Sequence, residues 1–204
     1  MPVDPGRIAA LLDYRRQVFE LYAQIRAQGD PRLAHAHWCA TRRRLYGNHA
    51  QSPLPNAERA RFGGPHVWEY DPAWRLLASV EHVEEETLEL PASGGATMRF
   101  MRFARARAGA VALDLYWLDA YGGGLFVPFA DATSGEETYG AGRYVLDTIK
   151  GADLGTQEGR LVLDLNFAYQ PSCSYDARWA CPLAPPANRL EVAVRAGERL
   201  AAID

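Results

Sequence analysis

The chain has 204 residues, of which 48% are hydrophobic and 23% charged, enough apolar content for one buried core and too little length for two large independent domains. A net charge of −3 exerts no overall pull toward nucleic acid or a membrane surface. No apolar run approaches the length of a bilayer span, and the start "MPVDPGRIAALLDYRR" lacks the basic and apolar regions of a signal peptide, so the reading is a cytoplasmic protein with reduced thiols.

The charge is unevenly spread. Residues 1–64 carry ten Lys/Arg against five Asp/Glu, and the remainder carries 12 against 20. A basic helical segment docked on an acidic body accounts for this. The arginines of "TRRRLY" would fan around a helix and suit solvent or carboxylates better than a phosphate track.

Asp4-Pro5 has the form of an N-cap followed by proline at the first helical position. Ile8, Leu11, Tyr14, Val18, Tyr22 and Ile25 then recur at helical spacing as far as Gly29. Asp30-Pro31 repeats the start signal, and Ala34, Trp38, Thr41 and Leu45 mark one face of a second helix that Gly47 can end. The two helices are expected to form a hairpin. Pro53 and Pro55 break the chain, and Asn56 can cap a short turn through Phe62.

From there the period changes to two. "TMRFMRF" and "VALDLYWLD" alternate; the second places Val111, Leu113, Leu115 and Trp117 on one face and Asp114 and Tyr116 on the other. "WRLLASV", "ETLEL", "GLFVPF", "RYVLD", "RLVLDL" and "LEVAV" are further short strand candidates between turn-rich segments. Glu84, Glu85 and Glu86 read as a solvated strand edge, and Trp68, Trp74, Trp117 and Trp179 as core or loop anchors. The expected fold is mainly β, an antiparallel sandwich or barrel with an N-terminal helical hairpin, α+β overall. The expected organisation is a helical segment, 1–64, docked on an antiparallel β domain, 65–204, with a long ordered loop at 166–189.

Two stretches carry more polar chemistry than a hairpin or loop needs. In "FADATSGEETYGAGRYVLD", Asp131, Thr133, Tyr139 and Arg143 can project from neighbouring positions of one hairpin, or simply satisfy its own turn. In "DLNFAYQPSCSYDARWACPLAPPANRL", Asp164, Asn166 and Tyr169 stand at the end of a strand, and Asn188 and Arg189 return after a proline-rich loop. Arg143 and Arg189 together would grip a carboxylate or phosphate.

Cys173 and Cys181 have seven residues between them and allow three readings: packed free thiols, a loop-stapling disulfide, or reactive thiols. Their spacing is not that of a zinc knuckle, and His35, His37, His49, His66 and His82 lie far upstream, so no metal is expected. No phosphate loop, nucleophile elbow or His-Glu helix motif occurs, and no cofactor is expected.

These two stretches, with "SPLP" at Ser52–Pro55 and "RAGE" at Arg195–Glu198, resemble the prokaryotic family catalogued as domain of unknown function 1684. Leu165, Gln170 and Ala187 stand where the family pattern has Phe, Asn and Glu. The resemblance implies no known activity. Three functional readings stay open. One is a module that binds a small anionic metabolite through Asp131, Thr133, Tyr139, Arg143, Asn166, Asn188 and Arg189. Another is an enzyme with Asp164 as acid or base, Tyr169 and Asn166 as orienting groups and Cys173 or Cys181 as nucleophile. The last is a purely structural role for both stretches. Neither nucleic acid nor membrane is an expected partner, and oligomeric state is not legible.

Overall fold

The computed structural model describes residues 4–95, 97–119 and 121–201. Helices α1 (Pro5–Ala27) and α2 (Pro31–Asn48) form the expected hairpin, and both begin as the sequence dictates. The Asp4 carboxylate accepts from Gly6 N at 3.0 Å and that of Asp30 from Arg32 N at 2.8 Å, each capping a proline-led first turn. Only the later part of the α1 stripe is covered: Leu21, Tyr22 and Ile25 are buried, whereas Ile8 and Leu11 are exposed. A single short turn, α3 (Asn56–Arg59), follows.

The body is one antiparallel sheet of β2 (Arg75–Pro91), β3 (Thr97–Ala108), β4 (Val111–Leu118), β5 (Leu125–Phe129), β6 (Arg143–Asp147), β7 (Thr156–Gln157) and β8 (Arg160–Asp164), after a short β1 (His66–Val67) that pairs with β9 (Glu198–Arg199). The sheet order is β6-β5-β4-β3-β2-β8-β7. The sheet curls into a half-barrel, because edge strand β6 is bridged to the chain just beyond β8: Tyr144 and Tyr169 exchange both backbone hydrogen bonds at 2.9 Å.

"WRLLASV" and "ETLEL" are not two strands but one, β2, with a register break between His82 and Glu86; Glu84, Glu85 and Glu86 are exposed there. Pro128 has no N–H to donate and coincides with another register shift, between β5 and β6. "LEVAV" forms no strand. Its backbone makes two isolated bonds to the 130–132 segment, Leu190 N to Ala130 O at 2.8 Å and Ala132 N to Val192 O at 3.2 Å, and Val194 is taken by side chains, as described below.

Alternation on β4 sends Val111, Leu113 and Leu115 into the main core. There they meet Leu21, Tyr22 and Trp38 of the helices, Val127, Phe129 and Val145 of the sheet, and Leu163 and Phe167 from the end of β8. Tyr116 faces a second, smaller core with Leu90, Phe100, Phe126 and Tyr144. Trp117, read as an anchor, is 41% exposed; its indole lies over Gly123, where the backbone approach leaves no room for a Cβ. Trp179 does anchor a loop, donating to Pro53 O at 3.0 Å. The loop at 166–189 is ordered by three 3-10 turns, at Leu165–Phe167, Ser172–Ser174 and Pro186–Asn188. No helix among the described residues is long and apolar enough to cross a membrane.

Candidate functional site

The first polar stretch builds a closed network. Asp131 is fully buried; its Oδ1 accepts from Thr133 N at 3.2 Å and Thr133 Oγ1 at 2.6 Å, and its Oδ2 from Arg143 Nη2 at 3.1 Å and Val194 N at 2.7 Å. Arg143, 1% exposed, also donates to the carbonyls of Val194, Ala196 and Glu198 and lies over the rings of Trp68 and Phe129. Burial pulls its guanidinium down to about 10, partly countered by Asp131, so it stays charged at neutral pH. Gly142, at φ +93°, makes the turn into β6 against the Phe129 carbonyl, where any Cβ would collide.

Asn188 acts as a piece of backbone. Its Oδ1 accepts from Asp114 N at 2.7 Å, and its Nδ2 donates to Asp114 O at 2.9 Å and Pro128 O at 2.7 Å. Arg189 is exposed, whereas Arg143 lies under the 194–198 segment with its donors engaged, so the two arginines do not form the anion grip their proximity to the motifs suggested.

Asp164 and Asn166 form a second lock at the end of β8. Asp164 Oδ1 accepts from Asn166 N at 3.1 Å and Nδ2 at 2.8 Å, and its Oδ2 from Tyr70 OH at 3.1 Å. Asn166 in turn bonds both backbone groups of Asp71. Burial raises the Asp164 carboxyl above its ordinary range, and the hydrogen bonds from Asn166 and Tyr70 oppose this. Asp164 also lines a cleft of about 380 Å³ with Arg26, Arg75, Gln157 and Phe167, between the α1–α2 turn and the β7–β8 hairpin.

The buried ion pair of Arg42 and Glu198 escaped sequence reading. Glu198 accepts from Arg42 Nε at 2.6 Å, from Gln170 N at 2.8 Å and from Tyr175 OH at 3.3 Å, joining α2 to the long loop. Arg42 stacks among Trp38, Tyr46 and Tyr169, with 4.8 Å between its guanidinium carbon and the Tyr169 ring centre. The usable signals were Arg42 within the basic run and Glu198 within "RAGE". Neither carries any mark of burial by itself.

A smaller cleft of about 80 Å³ opens beside this pair, where the helices meet both polar stretches. Tyr14, Arg42, Tyr144, Lys150, Tyr169 and Gln170 line it, and the Lys150 ammonium pairs with Asp147 at 3.1 Å. Gln170 is 4% exposed, and its Nε2 donates to Arg199 O at 3.2 Å, which turns its Oε1 away from that carbonyl. That Oε1 is buried without a hydrogen-bond partner. Cys181 reaches the same cleft; it and Cys173 are buried free thiols, not a disulfide. Tyr139 is half-buried.

The sites of the two stretches thus split three ways. Asp131, Thr133 and Arg143 meet in one network, Asp164 and Asn166 in another, and Tyr169 and Cys181 line the smaller cleft.

No curated protein matches the chain. Among solved structures, it resembles the solution NMR structure of the uncharacterized protein from gene locus rrnAC0354 of Haloarcula marismortui, at 36% identity and a TM-score of 0.53, covering 77% of this chain and 87% of that one. The family model described as "Protein of unknown function (DUF1684)" matches residues 60–199, which span the sheet, both polar stretches and Glu198, and the chain belongs to that family.

Proposed function

We propose that the protein binds a small anionic molecule bearing a hydrogen-bond donor, in the cleft between the helical hairpin and the loop that follows β8. The observation that carries this reading is the unpartnered Oε1 of Gln170, a residue that lines the cleft with Lys150, Arg42, Tyr14 and Tyr169. A buried acceptor without a donor costs about 1–3 kcal/mol, and a ligand hydroxyl or ammonium would supply the missing bond. Lys150, exposed at its tip, is free to turn from Asp147 toward an anionic group. The size of the cleft favours a molecule of a few heavy atoms.

The test is a thermal-shift screen with inorganic phosphate, lactate and glycine. Stabilisation by one of them, lost in both Gln170→Leu and Lys150→Met, is the expected result. No stabilisation by any, or stabilisation unchanged in both variants, overturns the reading. A second reading places the ligand in the larger cleft, with Asp164 as proton donor, favoured by the raised carboxyl there. Amide shift mapping separates the two: a probe in the larger cleft moves Phe167 and Gln157, and one in the smaller cleft moves Gln170 and Ser172.

A further inference from the structure

We propose that the cleft between the start of α1, the short α3 and the loop that follows β8 binds a sugar phosphate, at a site separate from the smaller cleft. Its volume of about 680 Å³ falls within the range of small-molecule sites, about 300–1,000 Å³. Arg7 of α1, Arg59 of α3 and Arg178 of the loop line it, with Gln51, Asn56 and Trp179 between them.

Hydrogen bonds to the backbone hold two of the three arginines in place. Ser52, fully buried, donates to Tyr46 O at 2.6 Å and accepts from Leu54 N at 3.1 Å, which fixes the turn between α2 and α3. Arg59 donates to the carbonyls of His49, Leu54 and Ala50 at 3.2, 3.3 and 3.4 Å. Arg178 Nη2 reaches the carbonyls of Ser52 and Leu54 at 3.5 and 3.4 Å, and its guanidinium lies over the Trp179 ring, 5.0 Å from the ring centre. Leu54 O therefore draws together two cations that their own repulsion would keep apart.

The acids nearby do not balance these charges. Asp176 pairs with Arg178 Nε at 3.1 Å, and Asp4, which also lines the cleft, caps α1 through Gly6 N. Among the described residues no carboxylate pairs with Arg7 or Arg59, and neither the Arg7 guanidinium nor Arg178 Nη1 donates to any group. A concave surface with surplus charge of one sign focuses its field on an anion, and guanidinium groups match the spacing of phosphate oxygens. The remaining wall selects the other half of the ligand. Gln51 and Asn56 offer amides and Asp4 a second carboxylate oxygen, partners for hydroxyl groups that both donate and accept, whereas the Asp4 charge repels a ligand that is anionic throughout.

The experiment titrates the isotope-labelled whole chain with glucose 6-phosphate, inorganic phosphate and glucose, and follows amide and indole shifts. Glucose 6-phosphate should give saturable shifts at Gln51, Ser52, Asn56 and the Trp179 indole, with an affinity at least about tenfold above that of inorganic phosphate, and glucose should give none over the same range. Arg7→Met and Arg178→Met should each weaken the binding at least about tenfold, and Arg160→Met, on the distant β7–β8 hairpin, should leave it unchanged. Arg7→Met gives up no hydrogen bond of its guanidinium among the described residues, so its loss of affinity is not a loss of fold. No shift at the four residues, an affinity unmoved in Arg7→Met, or inorganic phosphate bound as tightly as the sugar phosphate overturns the proposal. Shifts confined to Gln170 and Ser172 place the probe in the smaller cleft and overturn this proposal alone.

Discussion

Replacing Arg143 with methionine keeps the length and apolar stem of the side chain and removes its charge and every donor. Asp131, fully buried, then retains Val194 N and the Thr133 groups but loses its counter-ion, and the carbonyls of Val194, Ala196 and Glu198 lose their donor. Breaking a buried pair from one side costs about 3–5 kcal/mol. Against a total stability of about 5–15 kcal/mol that is a large share, and for a chain of this size it lowers Tm by roughly 6–20 °C. Urea denaturation of the single variants Arg143→Met and Asp131→Asn and of the double variant gives the coupling directly. The double variant should cost about 1–3 kcal/mol less than the sum of the singles. An Arg143→Met protein within about 1 kcal/mol of the unaltered chain, or single costs that simply add, would refute the reasoning.

Asn188→Leu should cost about 3 kcal/mol, because three buried backbone groups lose their partner at once; Asn188→Asp should be nearly as harmful, since a carboxylate cannot donate to Asp114 O or Pro128 O. A loss under about 1 kcal/mol in denaturant melts would contradict this. Gly197→Ala, at φ +76° and packed on the carbonyls of Leu165 and Ala168, should cost about 3 kcal/mol and detach the 194–199 segment, read as faster amide exchange at Glu198. Asp164 gives a pH dependence of defined sign. Its carboxyl is raised in the folded state above its ordinary 3.8, so the folded state binds the proton more tightly, and stability falls as pH rises through the raised value. Measured from about pH 7 to about pH 4, the unaltered protein should therefore gain stability relative to Asp164→Asn; a constant difference would show that the carboxyl is not raised.

The helices were legible because their starts are chemical: an aspartate that caps and a proline that leads. Alternation likewise found β3 and β4, and short apolar runs between turn-rich segments found β6 and β8. What the sequence hides is substitution of side chains for ladder partners. "LEVAV" alternates as a strand should, yet only Leu190 N and Val192 O reach a neighbouring backbone, and at Val194 the Asp131 carboxylate takes the N–H and the Arg143 guanidinium the carbonyl, so no ladder forms. The polar residues of the first stretch are dense for this reason. Their identities could be read as candidates for a ligand or for a lock with equal ease, because only folding reveals what occupies the space between them. The cleft was invisible for a similar reason. It lies where Tyr14 and Arg42 of the helices meet Tyr144 and Gln170 of the two stretches, positions up to 156 residues apart in the chain.

The contacts of Glu198 bear on how the chain is made. Arg42 leaves the ribosome 156 residues before its carboxylate partner, Asp131 waits 63 residues for Val194 N, and Arg143 waits 55 for the Glu198 carbonyl. Until that final stretch emerges, the nascent sheet and helices hold an arginine, an aspartate and a second arginine in sites that water must still reach. The body cannot dry and close before synthesis of the "RAGE" segment, so an arrested chain ending short of it would stay open to proteases along the seam between helices and sheet.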